Sequence, residues 1–572
     1  MSKRFPAPSL RALCLTFALP ILALPAPFPG EVRAALPDGF VIENAFPGVN
    51  FAVPVAFAFL PDGRTLVAEK SGYVRLVLAN GTQAPLPFLD LTAPTYNSGD
   101  LGLLGLAVDP DFETNRWVYV LYTVDTGADD RYSRLVRYQA SLSDPNVADV
   151  STKQVLIGDT WPEGIPTLHT SHSVCSIRFG EDKSLLIGHG DGGRFEAVDA
   201  GGQDPGGFGP GKTDPAEDIG AFRARAVVTS MAGKILRLDK ETGLGLPSNP
   251  FWDGDPGSDA SRVWAYGLRN PFRFSLRPGT GSTDPADGDP GTLYIGDVGW
   301  NIWEEVNVAS TGGTNFGWPC WEGPLNNSLY QNVDETAAGN EDVLCDAGLS
   351  GENPSSDSFP VVWWHHSNPS SSNPPGLTAL SVTGGVFYEG GSYPAEYVGR
   401  YFVGAFVRDW ILTMDFDETD AFLHHSIFTD VGDHPVYFEI DPATGDVCYA
   451  AIFNGTINRI RYEAPADAPA PVASGATERV RWSSDGAPNP FSDHTALSFV
   501  LEREQLTSVD VFDLEGRLVA NALTQEARAA GTYQVTWDGM DADGNEAASG
   551  VYFMVLRSAN GGDTRKVVLA RN

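Results

Sequence analysis

Short apolar runs rich in Val, Ile, Phe and Tyr recur from Gly39 to Tyr462, and each run ends at Gly, Pro, Asp or Asn. Runs of this length, with turn residues between them, predict β-strands, and no stretch has the apolar spacing of a long amphipathic helix. The first group is typical: residues 55–59 and 65–68 are apolar runs, and the turn Pro61-Asp62-Gly63 lies between them. The pattern therefore predicts an all-β chain.

Comparable groups of strands return along the chain. They lie at 106–137, 176–187, 234–238, 293–308, 385–416 and 437–462. Strands joined by tight turns make most of a propeller blade, and their repetition with turn-rich spacers favours blades around a central channel. We therefore predict a β-propeller over residues 39–462.

The composition changes after Tyr462. Residues 463–479 begin with the Pro/Ala-rich sequence EAPADAPAPVASG, which cannot form a packed core and predicts a linker. Residues 480–572 then contain further alternating runs, at 496–501, 508–513, 533–537, 551–557 and 566–569. Their number and spacing predict a small β-sandwich, at about the smallest size that folds alone.

The N-terminus has the pattern of a secretory signal. Basic residues at positions 3, 4 and 11 precede an apolar run from Ala12 to Ala26, and Val32-Arg33-Ala34 supplies small residues for cleavage. We predict a signal peptide over residues 1–34 and a secreted, periplasmic or cell-surface protein. No other stretch is long and apolar enough to predict a transmembrane segment.

The cysteines agree with export. Of the five, Cys14 lies in the predicted signal peptide. Cys320 and Cys345 flank a Gly/Asn/Asp-rich stretch with few apolar residues, so we predict a disulfide between them, which stabilises such a loop by about 3 kcal/mol. Cys175 and Cys448 could pair or stay free.

The chain is strongly acidic, with a formal net charge of −35 from 38 basic and 73 acidic residues. This charge argues against nucleic acid or an anionic membrane surface as a partner, because both would be repelled. Calcium is a more compatible partner. For most of these carboxylates, however, the acidity serves only to keep an exported protein in solution.

The sharpest chemical feature lies between His172 and Gly193. Two short apolar runs, 176–179 and 185–187, flank the polar turn 180–183 and predict a β-hairpin. Pairing symmetric about that turn puts His172 opposite Asp191, close enough for the carboxylate to bind one imidazole nitrogen and leave the other as a proton acceptor. An oriented base of this kind suits proton abstraction from an alcohol.

Two other interpretations of the hairpin remain open. His172 could be a structural histidine beside a turn aspartate, because strand registers slip and such pairs are common. A metal site built from His169, His172, His189 and Asp191 is less favoured, because neither a cysteine pair nor an HExxH motif accompanies it.

Several motifs in order resemble the soluble, PQQ-dependent glucose/sorbosone dehydrogenases. They are His172 with Asp191, Gly267-Leu268-Arg269-Asn270-Pro271, Gly296-Asp297-Val298-Gly299, Glu304-Glu305-Val306-Asn307 and Asn315-Phe316-Gly317-Trp318-Pro319. The resemblance covers roughly Gly39 to Tyr462. It implies a six-bladed β-propeller that holds pyrroloquinoline quinone (PQQ) on a calcium ion at the channel mouth, and an enzyme that oxidises a sugar and passes electrons to a soluble acceptor.

The resemblance also implies residue roles. By this likeness, His172 is the general base, Asp191 orients it, and Arg269 contacts the quinone and stabilises the charge of its reduced form. The remaining implied contacts are Asp100, Asn270 and Arg408 near the cofactor, the carbonyls of Gly299 and Trp300 on its calcium, and Glu305 with the carbonyl of Phe316 at a second, structural calcium.

Three places in the chain depart from the family pattern. Cys175 stands where the glucose dehydrogenases have a glycine, and Val407-Arg408 stands where a Lys-Arg pair is expected. The basic residues expected at 435–437 are also absent. The alternative function is therefore a non-enzymatic propeller that binds carbohydrate or protein.

The C-terminal region resembles another group. Pro488-Asn489-Pro490-Phe491, Asp513-Leu514-Glu515-Gly516-Arg517, Trp537-Asp538-Gly539 and Ala548-Ser549-Gly550-Val551-Tyr552 are similar to the Ig-like domains of flagellar hook-capping proteins and of C-terminal sorting modules. The likeness implies attachment to the cell surface or recognition by secretion machinery. The stretch 538–545 lacks the spacing and the closing Glu of an EF-hand, so we expect a turn-rich loop there rather than a calcium loop.

Overall fold

The computed structural model describes residues 36–127, 131–201, 219–333, 345, 359–430, 432–463, 482, 488–501, 505–512, 518–542, 544–558 and 561–571. The predicted signal peptide and nearly all of the predicted linker lie outside these ranges. Within them, no helix has the length and apolar character needed to cross a membrane. The α-helices are α1 (Phe112–Asn115), α2 (Asp259–Arg262) and α3 (Ser328–Gln331), and short 3₁₀ turns lie at Trp161–Glu163, Gly220–Ala224, Pro285–Asp287, Pro369–Ser371 and Ala395–Tyr397.

In the described part of the chain, the strands up to Tyr462 form six antiparallel sheets, which are the blades of the predicted propeller, and one additional two-stranded sheet. After β1 (Phe40–Asn44), blade 1 contains β2 (Pro54–Phe59), β3 (Thr65–Glu69), β4 (Tyr73–Val77) and β5 (Leu89–Asp90). Blade 2 contains β6 (Leu103–Val108), β7 (Trp117–Val124), β8 (Tyr132–Ala140), β9 (Ala148–Ile157) and β10 (Ile165–Pro166). Blade 3 contains β11 (Val174–Phe179), β12 (Leu185–His189), β13 (Lys234–Leu238) and β14 (Val263–Tyr266).

The remaining blades follow in chain order. Blade 4 contains β15 (Pro271–Leu276), β16 (Leu293–Asp297), β17 (Trp303–Ala309) and β20 (Val362–His365), with the small hairpin of β18 (Trp321–Glu322) and β19 (Leu325–Asn326) inserted before β20. Blade 5 contains β21 (Val382–Phe387), β22 (Tyr401–Ala405), β23 (Trp410–Phe416) and β24 (Phe422–Thr429). Blade 6 contains β25 (Pro435–Ile440), β26 (Val447–Ala451) and β27 (Thr456–Tyr462).

The ring closes through the first strand of the chain. β1 pairs with β27 in antiparallel register, with Phe40 opposite Tyr462, and so completes blade 6. The innermost strands β2, β6, β11, β15, β21 and β25 contact one another in turn, and β25 contacts β2. This closed ring of six blades leaves only short inner edges that are protected in the channel, and it confirms the predicted six-bladed β-propeller.

The burial pattern explains why the propeller strands have nearly continuous apolar runs. All residues of β3, β7 and β16 are buried, because each blade packs between two neighbouring blades and has no wet face. Sheets covered on both sides need apolar residues at successive positions instead of at every second one.

Every innermost strand has a β-bulge close to its first residue, where it pairs with the second strand of its blade. Bulges bend a strand and change the direction of the side chains beside them, and they are frequent next to active sites. We call the end of the propeller at which the innermost strands begin the upper face. The turns between the second and third strands of each blade open on the same face, because neighbouring strands are antiparallel.

The C-terminal region forms the predicted Ig-like β-sandwich. Its strands are β28 (Thr495–Leu501), β29 (Gln505–Phe512), β30 (Leu518–Arg528), β31 (Gly531–Trp537), β32 (Gly550–Ser558) and β33 (Gly561–Leu569). One sheet pairs β28 with β31, and the other has the order β30-β29-β32-β33. Buried and more exposed residues alternate along β28 and β29, and the region has its own apolar core, which includes Trp482, Phe499 and Trp537.

The cysteines are arranged as follows. Cys320 and Cys345 are joined by a disulfide, as predicted from their positions. Cys448 is buried with a free thiol. Burial raises the pKa of the Cys448 thiol, which makes it an unreactive core residue.

Candidate active site

The hairpin of β11 and β12 carries His172 and Asp191 at its upper end. Through its body, the pairing is one residue away from the predicted register: Ile177 lies opposite Ile187. The bulge between Val174 and Ile177 takes up the difference, because beyond it Val174 lies opposite His189. The predicted partners therefore meet, and His172 Nδ1 lies 2.9 Å from Asp191 Oδ1.

The backbone at this end of the hairpin is unusual. His172 has a φ of 53°, in the left-handed region that few non-glycine residues adopt. Gly192 N–H donates to the His172 carbonyl (2.9 Å), and a Cβ added at Gly190 would lie 2.5 Å from the same oxygen. The glycines of the sequence 190–193 thus allow the two chain segments to approach closely. This close approach sets the direction of the imidazole ring.

Asp191 is almost fully buried, with 1% of its surface exposed. Its Oδ1 accepts from His172 Nδ1 and from the Gly193 backbone N–H (2.8 Å), and its Oδ2 accepts from the indole N–H of Trp318 (2.8 Å). Its own backbone N–H donates to the Arg269 carbonyl (2.8 Å). Buried carboxylates persist only when they are hydrogen-bonded in this way.

The electrostatics favour an ionised Asp191 and a neutral His172. Burial alone would raise the pKa of Asp191, but His172, Arg269 and the Gly193 N–H together hold that pKa below its ordinary value. Burial lowers the pKa of His172, the Arg269 cation lowers it further, and the carboxylates of Asp191 and Asp100 oppose the change. An ionised carboxylate can only accept, so Nδ1 carries the imidazole hydrogen and Nε2 keeps its lone pair. No described residue makes a hydrogen bond to Nε2 of His172.

Arg269 lies beside the His172–Asp191 pair and is 5% exposed. Its guanidinium donates to the carbonyls of Val298 (2.8 Å) and Gly299 (2.7 Å) and lies over the Trp318 ring at 5.5 Å. The Gly299 carbonyl, a predicted calcium ligand, therefore accepts a hydrogen bond from Arg269 in this structure.

Asp297 fixes the turn that carries Arg269 and Asn270. Its two oxygens accept the backbone N–H groups of Arg269 (3.0 Å) and Asn270 (2.6 Å). Burial raises the pKa of Asp297 to about 7, although both hydrogen bonds oppose that change.

Glu322 organises the turn that contains Gly299 and Trp300. A single oxygen of its buried carboxylate accepts the backbone N–H groups of four consecutive residues, at 2.9, 2.8, 2.9 and 3.2 Å; the donors are Trp300, Asn301, Ile302 and Trp303. The Trp300 indole N–H donates to the Phe195 carbonyl (2.7 Å). The turn is thus held by one carboxylate from β18.

Glu305 and Phe316, the predicted ligands of the second calcium, both have partners within the protein. Glu305 is buried opposite Asp297 in the β16–β17 pair and accepts from the Gly323 N–H (2.5 Å) and from Asn307 Nδ2 (2.9 Å). Burial, and then the charge of Asp297, raise the pKa of Glu305 to about 8. Asn307 Oδ1 is buried without a partner. The backbone N–H of Phe316, the other predicted ligand, donates to the Tyr266 carbonyl (2.9 Å).

The described part of the chain contains no group of three or more His, Cys, Asp or Glu side chains placed to hold a metal ion. The alternative site of His169, His172, His189 and Asp191 is therefore not formed. His189 is fully buried, its Nε2 lies 2.8 Å from Ser133 Oγ and its Nδ1 lies 2.6 Å from the Gly190 carbonyl, and burial lowers its pKa to about 4. His189 is a structural histidine.

Two further predicted residues, Asp100 and Arg408, lie on the upper face, together with Lys70, which was not predicted. Asp100 is exposed, its backbone N–H donates to the Thr170 carbonyl (2.9 Å), and its charge acts on His172. Arg408 lies in the β22–β23 turn and donates to Thr378 Oγ1 (2.8 Å). Lys70, in the β3–β4 turn, donates to Asn97 Oδ1 (2.6 Å), and burial lowers its pKa against the attraction of Asp100.

Comparison with known families identifies the propeller. A sequence profile described as Glucose / Sorbosone dehydrogenase matches residues 51–434, more than half of the chain. The chain belongs to this family. A second profile, that of the FlgD Ig-like domain, matches residues 492–562.

The curated relatives of this glucose/sorbosone dehydrogenase family chain are distant. The HIPL1 protein of Arabidopsis thaliana is 28% identical over 361 residues, 55% of this chain and 44% of the relative. Hedgehog-interacting protein of Mus musculus is 29% identical over 240 residues, 39% of this chain and 30% of the relative. Quinoprotein glucose dehydrogenase B of Acinetobacter calcoaceticus is 26% identical over 300 residues, 51% of this chain and 56% of the relative. The chain spans less than half the length of the first two relatives.

Two solved structures share the propeller fold of the family. The apo form of the soluble aldose sugar dehydrogenase of Escherichia coli matches with a TM-score of 0.52 and 18% identity, covering 74% of this chain and 99% of that chain. A Thermus thermophilus protein described as a glucose dehydrogenase-type oxidoreductase matches with a TM-score of 0.51 and 23% identity, covering 74% of this chain and 100% of that chain.

Sequence reasoning about this family member missed three contributors to the site: Lys70, Trp318 and Glu322. Trp318 lies in a motif that carries the family resemblance, but its partner Asp191 is 127 positions away, and no local pattern indicates that contact. Glu322 could have been noticed as an acidic residue two positions after Cys320. Lys70 lies two positions after the predicted run 65–68 and directly after β3, at a strand end that opens on the upper face.

Proposed function

We propose that this protein is a quinoprotein oxidoreductase that oxidises the hydroxyl-bearing carbon of a sugar, with C1 of an aldose as the favoured position. The observation that carries the proposal is the buried contact between His172 Nδ1 and Asp191 Oδ1 (2.9 Å), which leaves Nε2 without a described partner at the upper face. A neutral imidazole held in one tautomer is suited to accept the proton of an alcohol.

Three cations support binding of pyrroloquinoline quinone, which is a tricarboxylate, in a chain that lacks the basic residues expected at 407 and 435–437. Three cations on the upper face, Lys70, Arg269 and Arg408, donate their side-chain hydrogen bonds only to neutral oxygens among the described residues. Cations without a direct carboxylate partner can each bind a carboxylate of an incoming ligand, and guanidinium groups do so with two parallel hydrogen bonds. Arg269 and Arg408 would therefore hold the cofactor, with support from Lys70 and Asn270.

The carboxylates below Arg269 fit a cation. Asp297 and Glu305 lie opposite each other, both are buried, and Asn307 Oδ1 nearby has no partner. Oxygen ligands of this kind suit calcium. This pair would hold the second, structural calcium. When bound, the quinone would supply a two-electron acceptor for hydride, and the separate calcium expected at the carbonyls of Gly299 and Trp300 would supply a Lewis acid.

The chain's own residues perform the remaining tasks. His172 Nε2 takes the hydroxyl proton while the hydrogen on the same carbon leaves as hydride, and the substrate is released as a lactone. Asp191 keeps the Nδ1 hydrogen in place and stabilises the imidazolium that forms. Arg269 places positive charge where negative charge develops. A soluble acceptor then collects the two electrons.

We also propose that the protein is exported, because residues 1–34 have the pattern of a signal peptide. The FlgD-type Ig-like domain supports a further role in secretion or cell-surface attachment. Fractionation of cells that express the full chain tests this part. Accumulation of uncleaved protein in the cytoplasm would contradict it.

Dye reduction tests the enzymatic proposal. The full chain with added PQQ and calcium should reduce an artificial electron acceptor when aldoses are supplied. His172→Gln should lower kcat by roughly 10²- to 10⁴-fold, the contribution of a general base. His424→Gln, on the exposed outer strand β24, is the matched control and should leave kcat unchanged. Absence of quinone-dependent turnover, or a fully active His172→Gln variant, would overturn the proposal.

The second candidate function is a binding module without catalysis. The similarity to Hedgehog-interacting protein favours it, because that relative's name describes binding to a protein. Titration calorimetry separates the two candidates, because a binding module has no need for the quinone. If PQQ does not bind even with millimolar calcium, the propeller is a recognition domain.

A further inference from the structure

Trp318 connects two parts of the site that lie far apart in the sequence. It precedes the β18–β19 hairpin, which is an insertion within blade 4, whereas Asp191 lies on blade 3. Its indole N–H donates to Asp191 Oδ2 at 2.8 Å, and both residues are buried, with 5% and 1% of their surfaces exposed. The hydrogen bond is therefore shielded from water and is made to an ionised group, which strengthens it.

The position of this donor determines the plane of the Asp191 carboxylate. The other oxygen, Oδ1, already accepts from His172 and Gly193. Without a donor at Oδ2, one side of a buried anion would be unpaired, and the carboxylate could rotate away from the imidazole to seek a partner. The indole thus keeps Oδ1 directed at His172 Nδ1.

Trp318 is itself held on several sides. Its backbone N–H donates to the Gly267 carbonyl (2.9 Å), and its ring contacts Tyr330 with centroids 5.2 Å apart. The Arg269 guanidinium lies over the ring at 5.5 Å. Two residues later, the Cys320–Cys345 disulfide ties this segment to the chain. A side chain fixed in this way can position its partner.

We propose that Trp318 is a positioning residue that orients the Asp191–His172 pair through its indole N–H. The inference rests on the proposed function. It assigns a role in that function to a residue other than His172, the base, and Asp191, the carboxylate that orients it. Trp318 contacts Arg269 as well, so one ring aligns the base and the nearby cation with each other.

Trp318→Phe tests the proposal, because phenylalanine keeps an aromatic ring under Arg269 and removes only the N–H donor and the second ring. We expect kcat with PQQ and an aldose to fall at least tenfold, with KM changed less than threefold. Trp321→Phe is the matched control: Trp321 is in the same segment, and its ring contacts Phe359 rather than Asp191. It should retain wild-type kcat. Equal losses in both variants would show general damage to the segment and would overturn the proposal.

The pH profile provides a readout that a purely structural role would not move. The charged groups that face His172 are Asp191, Arg269 and Asp100. Without the indole donor the Asp191 carboxylate turns away from the imidazole, and His172 loses part of the attraction that raises its pKa. The acid limb of kcat/KM should therefore move to lower pH in Trp318→Phe and stay in place in Trp321→Phe. An acid limb that does not move in Trp318→Phe would count against the proposal.

Indole N–H signals in the NMR spectrum of the full chain without cofactor test the contact independently of activity. The Trp318 signal, identified by its absence in Trp318→Phe, should exchange slowly with solvent and should shift in Asp191→Asn. If the wild-type protein shows no quinone-dependent turnover, the proposed function fails, but this experiment still decides the positioning role. Rapid exchange, or a signal that is unchanged in Asp191→Asn, would overturn it.

Discussion

Replacing Asp191 with asparagine separates the charge of this residue from its shape. Oδ1 accepts two N–H donors, from His172 and Gly193, and Oδ2 accepts one, from Trp318. An amide loses least when its oxygen takes the place of Oδ1 and its NH₂ faces the Trp318 indole. His172 then keeps its hydrogen on Nδ1, and the tautomer required for catalysis is preserved.

The expected loss follows from the charge that is removed. A hydrogen bond to a charged group contributes about 1.5–3 kcal/mol, and each 1.4 kcal/mol corresponds to about tenfold in rate. Asp191→Asn should therefore lower kcat by roughly 10- to 100-fold, because the imidazolium formed during the reaction is no longer stabilised by an anion at 2.9 Å. Loss of the whole base in His172→Gln should cost more.

The sign of the pH effect is also fixed by the structure. Asp191 raises the pKa of His172, whereas burial and Arg269 lower it. Without the negative charge the pKa of His172 falls, so the imidazole stays neutral to lower pH. The acid limb of kcat/KM should move to lower pH in Asp191→Asn, and further than in Trp318→Phe, where the carboxylate keeps its charge.

Steady-state dye reduction between pH 4 and 9, with saturating PQQ and calcium, measures both effects. Glu196→Gln is a suitable control, because Glu196 is a half-exposed carboxylate 3.5 Å from another histidine of the same face. It should change kcat less than twofold, since exposed pairs contribute little. If Asp191→Asn keeps wild-type kcat, or its acid limb moves to higher pH, His172 is not the base that Asp191 orients.

Three further predictions concern stability and domain structure. The Asp182–Arg237 pair (2.5 Å) is fully buried, so Asp182→Asn should destabilise the propeller by about 3–5 kcal/mol in denaturant unfolding. The control Asp62→Asn removes a half-exposed carboxylate from its pair with Arg64 and should cost less than about 1 kcal/mol. Equal costs would contradict the burial argument. A calcium chelator should lower the melting temperature, since a ligand at a hundredfold excess over Kd stabilises the folded protein by about 2.7 kcal/mol. The decrease should be smaller in Glu305→Gln. A melting temperature that the chelator does not change would show that the protein has no structural calcium site. A chain ending at Tyr462 should keep the melting transition and activity of the propeller, and loss of soluble protein would show that the two domains share a core.

The sequence contains enough local information to predict the fold and the His172–Asp191 pair. Every blade is covered by neighbouring blades on both faces, so near-continuous apolar runs separated by turn residues recur along the chain. The repeat can therefore be predicted without any information about long-range contacts. His172 and Asp191 belong to one hairpin, and a local turn brings them together. The bulge between Val174 and Ile177 could not be predicted, because no local sequence pattern indicates it. It shifts the strand pairing by one residue and so brings His172 opposite Asp191.

The remaining contacts of the site join distant parts of the chain. Trp318 reaches Asp191 from another blade, and Glu322 binds four N–H groups of a turn that lies about 20 residues earlier. These contacts depend on how an inserted hairpin packs over the upper face. Periodicity and turn chemistry determine strands and their neighbours, but they carry no information about where an insertion folds back.

The central proposal is that an aldose reduces a quinone held at the upper face by transferring hydride to it while His172 takes the hydroxyl proton. The most direct measurement is the absorbance of PQQ bound to the full chain with calcium, mixed anaerobically with an aldose and no dye. The account predicts that one equivalent of sugar bleaches one equivalent of bound quinone, and that His172→Ala binds the quinone without being bleached at a comparable rate. Quinone that stays bound and oxidised in the wild-type protein with every aldose, or equal bleaching in His172→Ala, would contradict the account.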